Sequence, residues 1–236
     1  MSAGARRRCV GALRWAPLGL LGLALAIWPW LDLAISAVAY DPGRDPAFLA
    51  ADHPLVRATY VVVPWFGRVA VLAALAAVLW PRARAGRWRR RAALVLGVAL
   101  LGNGVAVTWL LKDHSGRPRP LAVHAFGGDQ AFVGALRPSV QCDRNCSFVS
   151  GHAATGYALM AVGLLSAPAT RRRWTTVGLV AGSAIGLGRV LQGGHFASDV
   201  VFAAIVIGGV CALLRAGWLR LRLRRRRRAL ASRRAR

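Results

Sequence analysis

The sequence predicts an all-α fold, an integral membrane six-helix bundle with both termini in the cytoplasm. Three observations lead there. Of the 236 residues, 56% are hydrophobic and the mean hydropathy is +0.44, too apolar for an ordinary soluble domain. Apolar stretches of spanning length recur at 16–39, 58–80, 92–111, 148–167, 175–191 and 199–218, and a helix needs ~20 mostly apolar residues to cross the hydrocarbon core. Blocks of arginine alternate with these stretches and set the direction of each one.

The first stretch follows Arg6, Arg7, Arg8 and Arg14. It lacks a small-x-small cleavage site, so it reads as a retained helix rather than a removed leader. It carries one acidic residue, Asp32, and the second stretch carries Arg68. Those two are expected to pair across the first two helices, the alternative being that Arg68 reaches a ligand. Arg82, Arg84, Arg87, Arg89, Arg90 and Arg91 follow the second stretch, and Arg171, Arg172 and Arg173 follow the fourth. The fifth stretch is the shortest. After the sixth comes a tail from Arg215 to Arg236 with eleven arginines. With six spans every block falls in the cytoplasm, as the positive-inside rule requires. Apart from Asp32, the eight acidic residues then fall on the far side or at its rim. The expected organisation is a cytoplasmic N-terminus over 1–15, a membrane domain over 16–218 and a basic cytoplasmic tail over 219–236. Trp28, Trp30, Trp65, Trp80, Trp88, Trp109, Trp174 and Trp218 fall mostly near span ends, as an interfacial aromatic belt does.

A net charge of +25 raises nucleic-acid binding. The block pattern argues for topology instead, and the tail reads as a solvated end that also touches anionic lipid. No nucleic-acid partner and no required protein partner are expected.

On the far side the ends of four helices meet. Lys112 closes the third, Ser150, Gly151 and His152 open the fourth, Arg189 closes the fifth, and His195 and Asp199 open the sixth. Arg117 and Arg119 lie in the loop between. Ionisable groups at membrane depth are costly and usually functional. This cluster of cations suits an anion, and phosphate fits best. Arginine presents a planar fork to phosphate oxygens and lysine a point charge. The Ser150–His152 turn adds free backbone N–H groups at a helix start. Two histidines allow one to attack phosphorus and the other to protonate the leaving oxygen. His195, with Asp199 four residues on, suits the nucleophile, the carboxylate fixing its tautomer; His152 suits the acid. Metal is not expected. The chain has no His-Glu-x-x-His, no glutamate and no Cys-x-x-Cys, and the surrounding cations would repel a divalent ion. Without a Walker loop, ATP is not expected either.

These residues resemble the three motifs of the type 2 phosphatidic acid phosphatase superfamily, which also includes vanadium haloperoxidases. The first is Lys112-Asp-His-Ser-Gly-Arg-Pro-Arg119-Pro120, the second Val149-Ser150-Gly151-His152, the third Gly188-Arg189 with His195 and Asp199. Val149 stands for the motif proline and Gly188 for the motif serine. The resemblance implies a phosphohistidine mechanism without a cofactor. Lys112, Arg119 and Arg189 would hold the phosphate with Ser150 and the Gly151 backbone, while His152 acts as acid, His195 as nucleophile and Asp199 as its orienting partner. Arg117 is extra. It reads as a loop residue or as a contact to a second phosphate or acidic headgroup, and His114 as a loop residue with a substrate contact as the alternative.

A site at the membrane–periplasm boundary implies a phosphorylated lipid that slides in from the outer leaflet of a bacterial inner membrane. The loop Asp41-Pro-Gly-Arg-Asp-Pro-Ala-Phe and the run from Cys142 to His152 look like the bacterial lipid A phosphatase branch. Phosphatidylglycerophosphate and undecaprenyl pyrophosphate remain alternative substrates. Lipid phosphotransfer and a non-catalytic lipid-binding or transport role remain alternative functions; a haloperoxidase would need vanadate and suits so compact a chain poorly. Cys142 and Cys146 fall in a compartment that permits disulfides and read as a bridge, with two free thiols as the alternative. Cys9 and Cys211 read as free thiols.

Overall fold

Residues 15–80 and 86–234 are described by the structure, a computed structural model. Arg6, Arg7, Arg8, Cys9, Arg14, Arg82, Arg84 and Arg236 lie outside the described residues, as does nearly all of the expected 1–15 segment. Helix α1 spans Ala16–Ile27, α2 Trp30–Ala37 and α3 Pro54–Leu79. Helix α4 runs Gly86–Lys112, and its second half, Val98–Lys112, is wound in wider π-type turns. Short 3-10 turns follow at Pro120–Ala122 and His124–Phe126. Helix α5, Gly151–Tyr157, continues as a 3-10 segment over Ala158–Gly163. Helix α6 is Pro168–Leu191 and α7 is Ala197–Arg234. The described residues hold no strand, only isolated bridges at Tyr40–Phe48 and Val123–Gln130.

Four helices, α3, α4, α6 and α7, are long and apolar enough to cross a membrane, or five crossings if α1 and α2 count as one broken span. Leu55, Val61, Val62, Trp65, Phe66, Val69, Leu72 and Leu79 of α3 are exposed. A helix that leaves so much apolar surface uncovered needs lipid around it. The chain is a multi-pass membrane protein.

Two of the six expected stretches depart from simple spans. The first bends by 98° between α1 and α2. Pro29 biases the residue before it away from helical backbone, and Trp28 sits at φ −112°, ψ 73°. The fourth opens with a loop to residue 150, and its helical part covers only Gly151–Gly163. It is short because it is central. Ala153, Ala154, Tyr157, Met160 and Ala161 are buried, and α5 touches α3, α4, α6 and α7.

Small residues set how closely α6 approaches. A Cβ on Gly178 would lie 2.7 Å from Met160, one on Gly182 2.2 Å from the Tyr157 ring, and one on Gly186 2.3 Å from Val200. At four-residue spacing the three glycines share one face, which lets α5 and α7 pack against bare backbone. The chain directions then bring the end of α4, the start of α5, the end of α6 and the start of α7 to one end of the bundle. Helix α7 is 38 residues long, about 57 Å at the α-helical rise, so its arginine-rich end projects well past the opposite end.

Candidate active site

The loop from Asn145 to Ser150, just before α5, gathers the site. Lys112 Nζ donates to the Cys146 carbonyl at 3.0 Å, and the Cys146 amide donates back to the Lys112 carbonyl at 3.1 Å. Arg119 Nη2 donates to the Asn145 carbonyl at 2.9 Å. The Ser147 amide donates to the Arg117 carbonyl at 2.9 Å, and the Ser150 amide to the Asp199 carbonyl at 3.1 Å. Cys142 and Cys146 form a disulfide with Cα atoms 5.7 Å apart, which ties down the entry to this loop. Cys211 is a buried free thiol.

His195 lies in the turn before α7, not on the helix. Its Nδ1 is 2.8 Å from the Ser147 carbonyl and 3.4 Å from Asp199 Oδ2. A carbonyl can only accept, so Nδ1 carries the proton and Nε2 keeps the lone pair. The expected i, i+4 pair is therefore present but looser than a hydrogen bond, and the Ser147 carbonyl holds the tautomer instead. Asp199 Oδ2 is occupied by the Ser147 hydroxyl and by the Phe196 amide, the latter at 2.9 Å. The carboxylate still sits close enough to stabilise a positive imidazole. Burial pushes the His195 ring down to about 4; Asp199 draws it up, and Lys112 and Arg189 push it down. The ring is a neutral base at ordinary pH.

Behind Asp199 is a buried ion network that the sequence did not reveal. Arg117, only 1% exposed, bridges Asp32 Oδ2 at 2.8 Å and Asp199 Oδ1 at 2.5 Å. It also donates to Ser198 Oγ and to the Val133 carbonyl, each at 2.8 Å, and its guanidinium lies 4.4 Å from the Phe196 ring centre. Asp32 in turn accepts from the Ser198 amide at 2.9 Å and the Ser198 hydroxyl at 2.5 Å. Two expectations are corrected here. Arg117 does lie in a loop, but it is buried and its guanidinium donates to Val133, Ser198, Asp199 and Asp32 inside the fold rather than to a headgroup. Asp32 pairs with Arg117 rather than Arg68, whose guanidinium stacks 5.0 Å over Trp65. The bend between α1 and α2 turns Asp32 in toward the start of α7, so the partner follows from the break in that stretch. Only the unusual acidic residue at position 32 hinted at such a partner.

The remaining cations face the two histidines. Arg189 is 3% exposed; its guanidinium lies 4.8 Å over the Tyr60 ring and contacts Gln192 Oε1, and its Nε has no protein partner. Tyr60 stacks on His152 at 5.2 Å, and His152 Nε2 is 3.3 Å from the Tyr60 carbonyl. The charges of Arg189, Lys112 and Arg119 all bear on His152. Tyr60, from α3, thus holds both Arg189 and His152, which sequence reasoning missed; nothing in its local sequence marks it. Glycines make the room. A Cβ on Gly194 would meet Arg189 Nη2 at 2.5 Å, and Gly193 sits at φ +68° against Phe48. Ser150 caps α5, its Oγ accepting from the Ala153 amide at 3.4 Å. His114 is exposed and held by Nδ1 at 2.6 Å to the Trp109 carbonyl, away from these contacts. Lys112, Arg119, Ser150, Gly151, His152, Arg189, His195 and Asp199 all collect at this end. The arrangement can hold a compact polyanion beside one neutral imidazole and a second ring.

A family model described as the PAP2 superfamily matches residues 92–224. A protein named "Lipid A 4'-phosphatase" from Francisella tularensis subsp. novicida is 44% identical over 122 residues, 50% of this chain and 54% of that protein. Proteins of the same name from Rhizobium leguminosarum and Rhizobium etli are 39% and 38% identical over 109 and 128 residues, covering 46% and 49% of those proteins and 46% and 50% of this chain. The chain spans about half the length of the curated relatives it matches. No solved structure matches it.

Proposed function

We propose that this chain, which belongs to the PAP2 superfamily, is a metal-independent phosphatase of a membrane lipid, with lipid A as substrate and its 4' phosphate as the group removed. The observation that carries the reading is His195, its Nδ1 proton bound by the Ser147 carbonyl at 2.8 Å so that Nε2 is left basic beside Lys112 and Arg189. The lipid substrate is supported by the relatives, each a lipid A 4'-phosphatase by name.

Lys112, Arg119 and Arg189 neutralise the phosphate oxygens, with the Ser150 hydroxyl and the Gly151 amide at the start of α5 as further donors. Nε2 of His195 attacks phosphorus, the ester P–O bond breaks, and the leaving oxygen takes a proton from His152. Asp199 stabilises the positive ring of the phosphohistidine. His152, now deprotonated, takes a proton from water, which displaces phosphate from His195 and restores both rings. Cations around both histidines would repel a divalent metal. The reading places six crossings in the bacterial inner membrane, α1–α2 and α5 included, both termini in the cytoplasm and the site facing the periplasm.

The test is phosphate release from lipid A, phosphatidylglycerophosphate, phosphatidic acid and undecaprenyl pyrophosphate by detergent-purified protein with excess chelator, beside His195→Ala. Release that resists chelator, favours lipid A and is lost in His195→Ala is expected. Full activity in that variant, or loss of activity on chelation, would overturn the mechanism; preference for another lipid would overturn the substrate.

A further inference from the structure

At the end of the bundle opposite His195, arginines surround a cavity of about 360 Å³. It is lined by Arg87, Arg90 and Arg91 at the start of α4, by Arg215 and Arg222 of α7, and by Trp218 between them. Leu164, Leu165 and Ser166, just past the α5 segment, and Leu219 complete the lining. From Asp199 to Trp218 along α7 is about 29 Å at the α-helical rise, close to one hydrocarbon thickness of ~30 Å. The cavity therefore sits at the other membrane–water boundary and is distinct from the site above.

Among the described residues no side-chain carboxylate lines this cavity. The chain's only side-chain carboxylates are Asp32, Asp41, Asp45, Asp52, Asp113, Asp129, Asp143 and Asp199. Asp32 and Asp199 are buried in the network at the opposite end, and the others lie in loops on that side. Asp32 pairs there with Arg117, and Asp199 with Arg117 and His195. Five guanidinium groups around one cavity repel one another unless an anion lies between them. The lining also combines the groups a lipid headgroup site uses: leucines, guanidinium cations and an indole. The Arg90 guanidinium lies 5.8 Å from the Trp218 ring centre, and tryptophan favours this boundary. The volume exceeds what one phosphate fills and leaves room for the glycerol attached to it.

We propose that this cavity binds the phosphate headgroup of an anionic phospholipid from the leaflet opposite the catalytic end. Arg90 and Arg215, on the two facing helices, clamp the phosphate oxygens with their planar forks. Arg87, Arg91 and Arg222 raise the local potential, and Trp218 and the leucines seat the glycerol and the first methylenes. The contact joins α4 to α7 across a gap the protein leaves open.

The test uses the full chain in neutral detergent, delipidated and then titrated separately with short-chain phosphatidylglycerol, cardiolipin, phosphatidylcholine and inorganic phosphate, with bound ligand counted by native mass spectrometry. Saturable retention of the two anionic lipids, with phosphatidylcholine at background, is expected. At about a factor of five per guanidinium near an anionic headgroup, Arg90→Gln/Arg215→Gln should weaken retention by roughly twentyfold or more. Arg90→Lys/Arg215→Lys should fall in between, since charge remains and the fork is lost. Gel-filtration and melting profiles of both variants serve as folding controls. Equal retention of phosphatidylcholine, or unchanged anionic lipid binding in the Gln variant, would overturn the proposal. Inorganic phosphate binding as tightly as the lipids, and weakened equally by Arg90→Gln/Arg215→Gln, would assign the cavity to soluble anions instead. None of these readouts depends on catalytic turnover at His195.

Discussion

Removing Arg117 is the sharpest test of how the site is held. Its guanidinium is 1% exposed and neutralises two carboxylates, at 2.8 Å for Asp32 and 2.5 Å for Asp199. Breaking a buried ion pair by deleting one partner costs about 3–5 kcal/mol, because the other charge is left uncompensated. Arg117→Met keeps much of the side-chain volume but strands both carboxylates, so the cost belongs at the upper end, about 4–5 kcal/mol. For a chain of this size 1 kcal/mol moves the melting midpoint by about 2–4 °C, which predicts a fall of roughly 8–20 °C. The assay is thermal melting in a mild detergent at neutral pH, with Asp32→Asn and the double variant completing a cycle. Asp32→Asn removes one of the two stranded charges, so in the double variant the cost of losing Arg117 shrinks by at least about 1 kcal/mol. Phosphate release should fall in Arg117→Met even well below its melting point, since Asp199 loses a fixed partner. A midpoint within 2 °C of the parent, with costs that simply add, would refute the buried network as the support of Asp199.

Other predictions follow from single contacts. Gly194→Ala places a methyl 2.5 Å from Arg189 Nη2 and pushes the guanidinium aside; phosphate release per KM should drop about tenfold with little change in melting, and an unaltered KM would contradict Arg189 as a phosphate ligand. His195, held near 4 by burial against an ordinary value of 6.5, binds fewer protons folded than unfolded between those values. Stability should therefore rise with pH from about 4 to 6.5. His195→Gln should lose that share of the slope in melting scans; an identical slope in the variant would contradict the buried neutral ring. On the proposed mechanism the same shift keeps His195 unprotonated until pH approaches about 4, so kcat/KM should show no acid limb from His195 near its ordinary value of 6.5; a limb there that His195 variants remove would contradict it.

Much of this site could be read from residue order. Lys112, Ser150, His152, Arg189, His195 and Asp199 sit at or near the ends of apolar stretches, with Arg119 in the loop between two of them, and helices that alternate direction must return those ends to one face. What could not be read were contacts between residues far apart in the chain. Arg117 and Asp32 are 85 positions apart, and Tyr60 and His152 are 92 apart. The Ser147 carbonyl displaces Asp199 as the acceptor for His195 because His195 is in a turn, where helical spacing does not apply.

The sequence by itself determined the membrane setting, the clustering of chemistry at one end and the arginine load at the other. These follow from the length and hydropathy of each stretch and from charge placement, which are local properties. Only the tertiary structure decided that α1 and α2 break, that α5 is a short buried helix, and that Arg117 serves the fold instead of a ligand. The same holds for the cavity between α4 and α7. These depend on which side chains meet when glycine-faced helices close to contact, and a buried charge takes its role from whichever partner the packing brings within 3 Å.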